Sequence, residues 1–445
     1  MIGLWALGTY LATILIWTTI LRRNVGEAMV LGFLVAAAFS GGSALTIGWD
    51  ALYKALTDEI VYATVVFVFM GFLLERSGVT YRMINLLDAL IGRRRGGPAY
   101  VSTLASAGLG SIVHNQAAIA ATVGSVTIPW MEREKVDRAT AATIVAGNAG
   151  MGITFPFSAS MFVLVGASAG GAALELNSLI MPLVIGGLWC VLHRLIVTAI
   201  FVRRSKVADA GRPERIRPGE AFRNGWSTLL LFVVIAIPII LTTGAVAEIL
   251  SNHVGLDITD SVSLIFWMPV LLIATGLLLG RGQLPNTVTK WMALLSDSAP
   301  RFGLVGMTVI FAFAGANALA TTGLPDQLGG LLDGLDLPVP VLALVIGVIV
   351  IAVAAPLSST ATMAAVGVIG VAALVAAGVP ATTAAVAVLI FSSCEAAVPP
   401  GGAPLYVSCG IAGVDPFQTF RPMFVYYALP LLGIGILVAS GILPV

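Results

Sequence analysis

Polar residues gather at four interruptions of an otherwise apolar chain, where their oxygens could hold a cation or a small organic solute. The interruptions read SIVHNQ (Ser111 to Gln116), GNAGMGITFPFSAS (Gly147 to Ser160), SSTAT (Ser358 to Thr362) and SSCEAAVPPGGAP (Ser392 to Pro404). Proline lacks an amide proton and glycine tolerates unusual backbone angles, so Pro156, Pro399, Pro400, Gly401 and Gly402 favour a break in the helix. A helix broken inside a membrane frees carbonyls at the end of one half and amides at the start of the other. The carbonyl ends suit Na⁺ and the amide ends suit anionic groups. Candidate cation ligands are Ser111, Asn115, Asn148, Gly152, Ser358, Thr360, Ser392 and Pro399. Candidate substrate contacts are Ser111, Asn115, Thr154, Ser158, Ser359, Thr360, Glu395 and Gly401. Any one hydroxyl here could equally serve only to join helices.

Two ionisable residues stand out within these breaks. Glu395 lies far from either expected membrane surface, where a carboxylate costs roughly 2.5–3.5 kcal/mol on insertion scales, so a function is the default hypothesis. It could ligand a cation, carry a coupling proton, or sit neutral and hydrogen-bonded; the sequence leaves all three open. His114, beside Asn115 at an expected hairpin tip, reads first as a structural hydrogen-bonder and second as a proton relay. His193 and Arg194 fall near the inner end of an expected span, where a long basic side chain can snorkel to water.

The surrounding elements follow from composition. The 445 residues are 58% hydrophobic and 10% charged, against about a quarter charged in soluble chains. The chain is expected to be an all-α integral membrane protein. Its net charge of +1 argues against nucleic acid as a partner. Cys190, Cys394 and Cys409 lie in or beside apolar runs and give no support for a disulfide framework or a metal cluster. Runs long enough to cross the hydrocarbon core fall near 2–21, 27–47, 59–76, 138–170, 176–202, 225–248, 262–280, 303–321, 381–413 and 422–443, about ten helices at ~20 residues each. The first lacks a basic segment before it and a clear cleavage site after it, so it is expected to be retained. Two more stretches, 98–131 and 339–377, are interrupted by polar residues and read as re-entrant hairpins.

Charge placement agrees with this map. With the N-terminus outside, the inner loops carry Arg22, Arg23, Arg76, Arg82, Arg93 to Arg95, Arg133, Lys135 and Arg138. They also carry Arg203, Arg204, Lys206, Arg212, Arg215, Arg217, Arg223, Arg281, Lys290, Arg301 and Arg421. The outer loops are acidic: Asp50, Asp58, Glu59, Glu175, Glu248, Asp257, Asp260, Asp326, Asp333 and Asp336. Of the 23 basic residues only Lys54 falls outside, so both termini are expected outside by the positive-inside rule.

The chain also repeats itself. Shifted by 243 positions, the second half meets the first without a gap: Gly124 falls on Gly367, Ala141 and Ala142 on Ala384 and Ala385, Val145 on Val388, Pro156 on Pro399. Each unit holds a hairpin and then a broken span, and the expected topology gives the two units opposite orientations. Inverted repeats with broken helices are a mark of secondary transporters. The domains that follow are 1–97 (scaffold helices and an amphipathic arm), 98–175 (first transport half) and 176–338 (scaffold with loop 203–224 and arm 281–302). Then come 339–414 (second transport half) and 415–445 (C-terminal helix). No His-Glu-x-x-His, paired membrane aspartates or spaced Ser–His pair suggests an enzyme, and inverted breaks suit alternating access better than a continuous pore.

At these residues the chain resembles the large membrane subunit of the tripartite ATP-independent periplasmic (TRAP) transporters. The likeness runs through FMGFLLERSGVTYRMINLLDALIGRRRGG (Phe69 to Gly97), IAATVGSVTIPWM (Ile119 to Met131) and VPPGGAPLYVSCGIAGV (Val398 to Val414). It implies an inverted-repeat, elevator-type transporter of the cytoplasmic (inner) membrane, taking up a small organic anion with Na⁺. It also implies a small four-helix membrane subunit and a periplasmic substrate-binding protein as partners. The chain departs from the family's pattern at the breaks: Ser111 is followed by IVHNQ, Pro156 by Phe157 and Ser158, and Glu395 stands where a neutral residue is usual. These departures bear on substrate class and cation count. They keep a second reading open, a self-sufficient carrier of the same superfamily, proton-coupled through Glu395.

Overall fold

The computed structural model describes residues 2–167, 174–205, 207, 217–242, 263–324, 337–355, 357–398 and 402–445, with positions 246, 249, 252–253 and 327 between them. Pro399, Pro400 and Gly401, three residues named for the second break, lie outside this set. So do Gly170, and the loop charges Lys206, Arg212, Arg215, Glu248, Asp257, Asp260, Asp326, Asp333 and Asp336. Among the described residues every regular element is helical.

The chain opens with α1 (Ile2–Leu15), α2 (Val25–Ala38), α3 (Ala44–Thr57), α4 (Glu59–Arg76) and the amphipathic α5 (Val79–Ile91). The first hairpin is α6 (Gly97–Val113) and α7 (Gln116–Arg133), followed by the broken pair α8 (Arg138–Ala149) and α9 (Ala159–Ala167). Next come α10 (Leu176–Arg204), α11 (Pro218–Gly225), α12 (Leu230–Thr242), α13 (Leu264–Leu279) and the long α14 (Val288–Ala320). The second hairpin is α15 (Val339–Ala354) and α16 (Ser359–Ala376); its broken pair is α17 (Ala381–Ser392) and α18 (Ala403–Ala412), and α19 (Phe417–Ala439) closes the chain.

The repeat holds element for element. Helices α7 and α16 each span 18 residues, and α8 and α17 each span 12. Each of the latter ends in a five-residue 3₁₀ turn, Gly150–Thr154 or Ser393–Ala397. All these pairs stand at the same 243-residue offset. The caps repeat as well. Asn115 Oδ1 accepts from the Ala118 amide at 3.1 Å, and its counterpart Ser358 Oγ accepts from the Ala361 amide at 3.3 Å. Each side chain satisfies a donor that the helix start leaves free.

Burial follows the repeat. Every residue of Ala141–Ala149 is buried, and so is every residue of Ala384–Ser392. Alanine and glycine dominate the first stretch, letting α6, α7 and α18 approach α8 closely. Large apolar side chains such as Trp5, Trp49, Leu188, Phe266 and Phe417 stand exposed on the outer helices. So much exposed apolar surface suits lipid, not water.

The spans are less uniform than the sequence pattern implied. Among the described residues six helices are long and apolar enough to cross a membrane, or up to seven if the bent pair Gly41–Thr57 and Glu59–Arg76 counts as one. The second expected span, 27–47, is shorter: α2 ends at Ala38 and α3 begins at Ala44. Ser40, Gly41, Gly42 and Ser43 lie between them, and Gly41 takes a φ of +61°, a turn that glycine enters without strain. Asp58 then caps α4, its Oδ1 accepting from the Ile60 amide at 2.8 Å, at a bend of 50°.

Candidate functional site

The two hairpins aim their turns at each other. A cavity of about 380 Å³ lies where His114, Asn115 and Gln116 of the first turn meet Ser358, Ser359 and Thr360 of the second. Phe157, Ser158 and Ser160 of the first break and Glu395 and Pro404 of the second complete one wall. The opposite wall comes from Val25, from α4 between Phe67 and Glu75, and from α14 at Leu304, Val305 and Thr308. The cavity thus lies between the hairpin-and-break body and the helices α4 and α14.

At its centre three donors converge on Glu395 Oε2. The Ser359 amide donates at 2.7 Å and Gln116 Nε2 at 2.8 Å, and Ser359 Oγ lies 2.5 Å away. Ser359 Oγ is also 3.2 Å from the Ser392 carbonyl, and its single proton serves both acceptors. Gln116 and Ser359 occupy equivalent places in the repeat and are themselves 3.3 Å apart. The polar centre therefore sits where the two halves face each other. Oε1 receives none of the three. Among the described residues lining the cavity none is Lys or Arg, while Glu75 and Glu395 are both acidic.

Of the residues expected to contact substrate or cation, the cavity gathers Asn115, Ser158, Ser358, Ser359, Thr360 and Glu395. Five others lie behind it. Ser111 Oγ donates to the Gly108 carbonyl at 2.8 Å, and Thr154 Oγ1 to that of Met151 at 2.8 Å. Gly152 packs against Gly110, and Ser392 is buried beside Ser359. Asn148 donates to Thr103 Oγ1 at 2.9 Å and leaves its Oδ1 without a hydrogen-bond partner. Gln116 was not singled out from the sequence, although the repeat offset places it opposite Ser359. His114 Nε2 lies 3.0 Å from the Pro156 carbonyl and ties the first hairpin turn to the first break. Its φ of +53° closes α6 in a left-handed cap. No group of three or more His, Cys, Asp or Glu gathers among the described residues.

Arg194 does not snorkel. It is 1% exposed, and about 15 Å of helix, at 1.5 Å per residue, separates it from the basic end of α10 at Arg203 and Arg204. Its Nε donates to the Gly147 carbonyl at 2.9 Å, its Nη1 lies 2.8 Å from His193 Nδ1, and its guanidinium sits 4.9 Å from the centre of the Tyr427 ring. Packing of α10 against α6, α17 and the first break closes the route to water.

Paired broken helices, facing hairpins and an apolar exterior define a membrane transporter. The chain belongs to the DctM component family of the tripartite ATP-independent periplasmic transporters, whose profile matches residues 12–442. Among relatives, the C4-dicarboxylate TRAP transporter large permease DctM of Pseudomonas aeruginosa is 26% identical over 64% of this chain and 70% of its own. The uncharacterised YgiK of Salmonella typhimurium is 26% identical over 46% of each, so this chain spans about half of that relative. The isethionate TRAP permease DctMQ of Oleidesulfovibrio alaskensis is 28% identical over 33% of this chain and 23% of its own. Two solved transporters share the fold at low identity. The YdaH transporter of Alcanivorax borkumensis superposes with a TM-score of 0.63 at 16% identity, covering 90% of this chain and 89% of its own. MtrF of Neisseria gonorrhoeae gives 0.62 at 13%, covering 89% and 83%.

Proposed function

We propose that this chain carries a small organic anion across the cytoplasmic membrane together with Na⁺, by an elevator-type movement of the hairpin-and-break body. The observation that carries this reading is the cavity at the meeting of the two halves: it holds the carboxyl group of Glu395, and no Lys or Arg lines it among the described residues. An organic anion entering such a site meets a like charge, which costs free energy unless a cation enters with it. Na⁺ supplies that charge, and Glu395 Oε1 with the oxygens of Ser358 and Thr360 suits a small hard cation. The cavity's position between the repeated body and α4 and α14 supports movement of one against the other. The relatives' names, for C4-dicarboxylate and isethionate permeases, support a carboxylate or sulfonate as cargo. A small four-helix subunit and a periplasmic binding protein complete the system in this reading, with both termini outside.

The test is flux through proteoliposomes holding the chain, with a Na⁺-sensitive dye trapped inside. External C4-dicarboxylates and small sulfonates, delivered by the cognate binding protein with the small subunit present, should accelerate Na⁺ entry. Entry that no such acid accelerates would overturn the reading.

A further inference from the structure

We infer that Arg194 is a tethered cation for the first half of the repeat, so that the mobile cation is needed only in the second. The inference rests on the cation-coupled reading above.

Helix α8 ends at Ala149, and the carbonyls of its last turn lack donors within the helix. These ends carry partial negative charge and attract cations. At Gly147 the cation is already present, because Arg194 Nε donates to that carbonyl at 2.9 Å. The guanidinium is buried at 1% exposure. Among the described residues no carboxylate pairs with it; its partners are a carbonyl, a histidine nitrogen and the face of Tyr427. A buried charge without a counterion persists where fixed dipoles of opposite sign surround it, and a helix end supplies them. The site is built for close approach, since a Cβ on Gly147 would fall 2.3 Å from the Tyr427 ring.

The second half has the reverse arrangement. At the repeat offset Arg194 falls on Leu437 and Gly152 falls on Glu395. One half thus holds a fixed cation and the other an acidic acceptor. Without the guanidinium, the α8 carbonyl end would regain its pull on cations. Asn148 Oδ1 and Tyr427 Oη, two buried oxygens without hydrogen-bond partners, stand beside it.

The experiment compares the unfolding midpoint of the detergent-purified chain in NaCl and choline chloride titrations, for wild type, Arg194→Gln, Arg194→Lys and Tyr427→Leu. Arg194→Gln should respond to Na⁺ at several-fold lower concentration than wild type, and Arg194→Lys should keep the wild-type response. If Arg194→Gln does not survive purification, Tyr427→Leu, which removes the ring under the guanidinium, should shift the same way. An unchanged or weaker Na⁺ response in the folded variants, with midpoints lowered equally in both salts, makes Arg194 purely structural and overturns the inference. A wild type indifferent to Na⁺ would defeat the coupled-cation reading and with it the mobile cation of the second half, whereas a Na⁺-responsive wild type beside an unchanged Arg194→Gln overturns only this inference.

Discussion

The two halves share helix lengths, caps and burial, yet they differ at residue 395, where only the second half brings a carboxyl group to the meeting of the hairpin turns. In the second half, residue 395 is a glutamate that reaches the opposing hairpin turns. In the first half the equivalent residue is Gly152, and a Cβ there would fall 2.4 Å from the Gly110 carbonyl. Hairpin helix α6 therefore lies directly on the first break and leaves no room for a side chain. Charge enters the first half from another helix, through Arg194, at the carbonyl end of α8. Repetition built the scaffold, and departures from it placed an acidic side chain in one half and a basic one in the other.

Three substitutions sharpen this contrast, each read as a shift in unfolding stability of the purified chain. Gly152→Ala should be the most damaging, at about 3 kcal/mol, because the added methyl meets backbone that cannot turn aside. A loss below about 0.5 kcal/mol would mean that the first break has room after all. Gln116→Leu should cost about 1.5–2 kcal/mol, the worth of a bond to a charged acceptor. It removes the only side-chain donor that reaches from the first hairpin turn to Glu395 among the described residues. Wild-type stability in this variant would mean that the halves do not depend on each other there. His114→Ala should cost about 1 kcal/mol, from the lost bond to Pro156 and the left-handed backbone. It should also impair transport less than Glu395→Ala. Equal transport by the two would contradict the ranking of carboxylate over imidazole.

Much of this arrangement was legible in the sequence, for definite reasons. The repeat is ungapped, so a single offset aligned both hairpins and both breaks, and it pointed to Asn115, Ser158, Ser358, Ser359, Thr360 and Glu395. The same offset, applied to Gln116, would have paired it with Ser359 and flagged it too. Arg194 was not legible. Its position in α10 looks compatible with snorkelling, and only the arrival of Gly147 and Tyr427, far away in the chain, shows that it is enclosed. The end of α2 at Ala38 was hidden as well, because an apolar run that turns at a Ser-Gly-Gly-Ser stretch resembles a longer span.

The most direct test of the central claim, a cation held at Glu395 where the halves meet, is the Na⁺ dependence of stability in wild type and Glu395→Gln. A ligand that binds only the folded chain at a hundredfold excess over its Kd adds about 2.7 kcal/mol. The account predicts a higher unfolding midpoint for wild type in NaCl than in choline chloride, and no such difference in Glu395→Gln. A Na⁺ effect that persists undiminished in Glu395→Gln, or its absence from wild type, would contradict it.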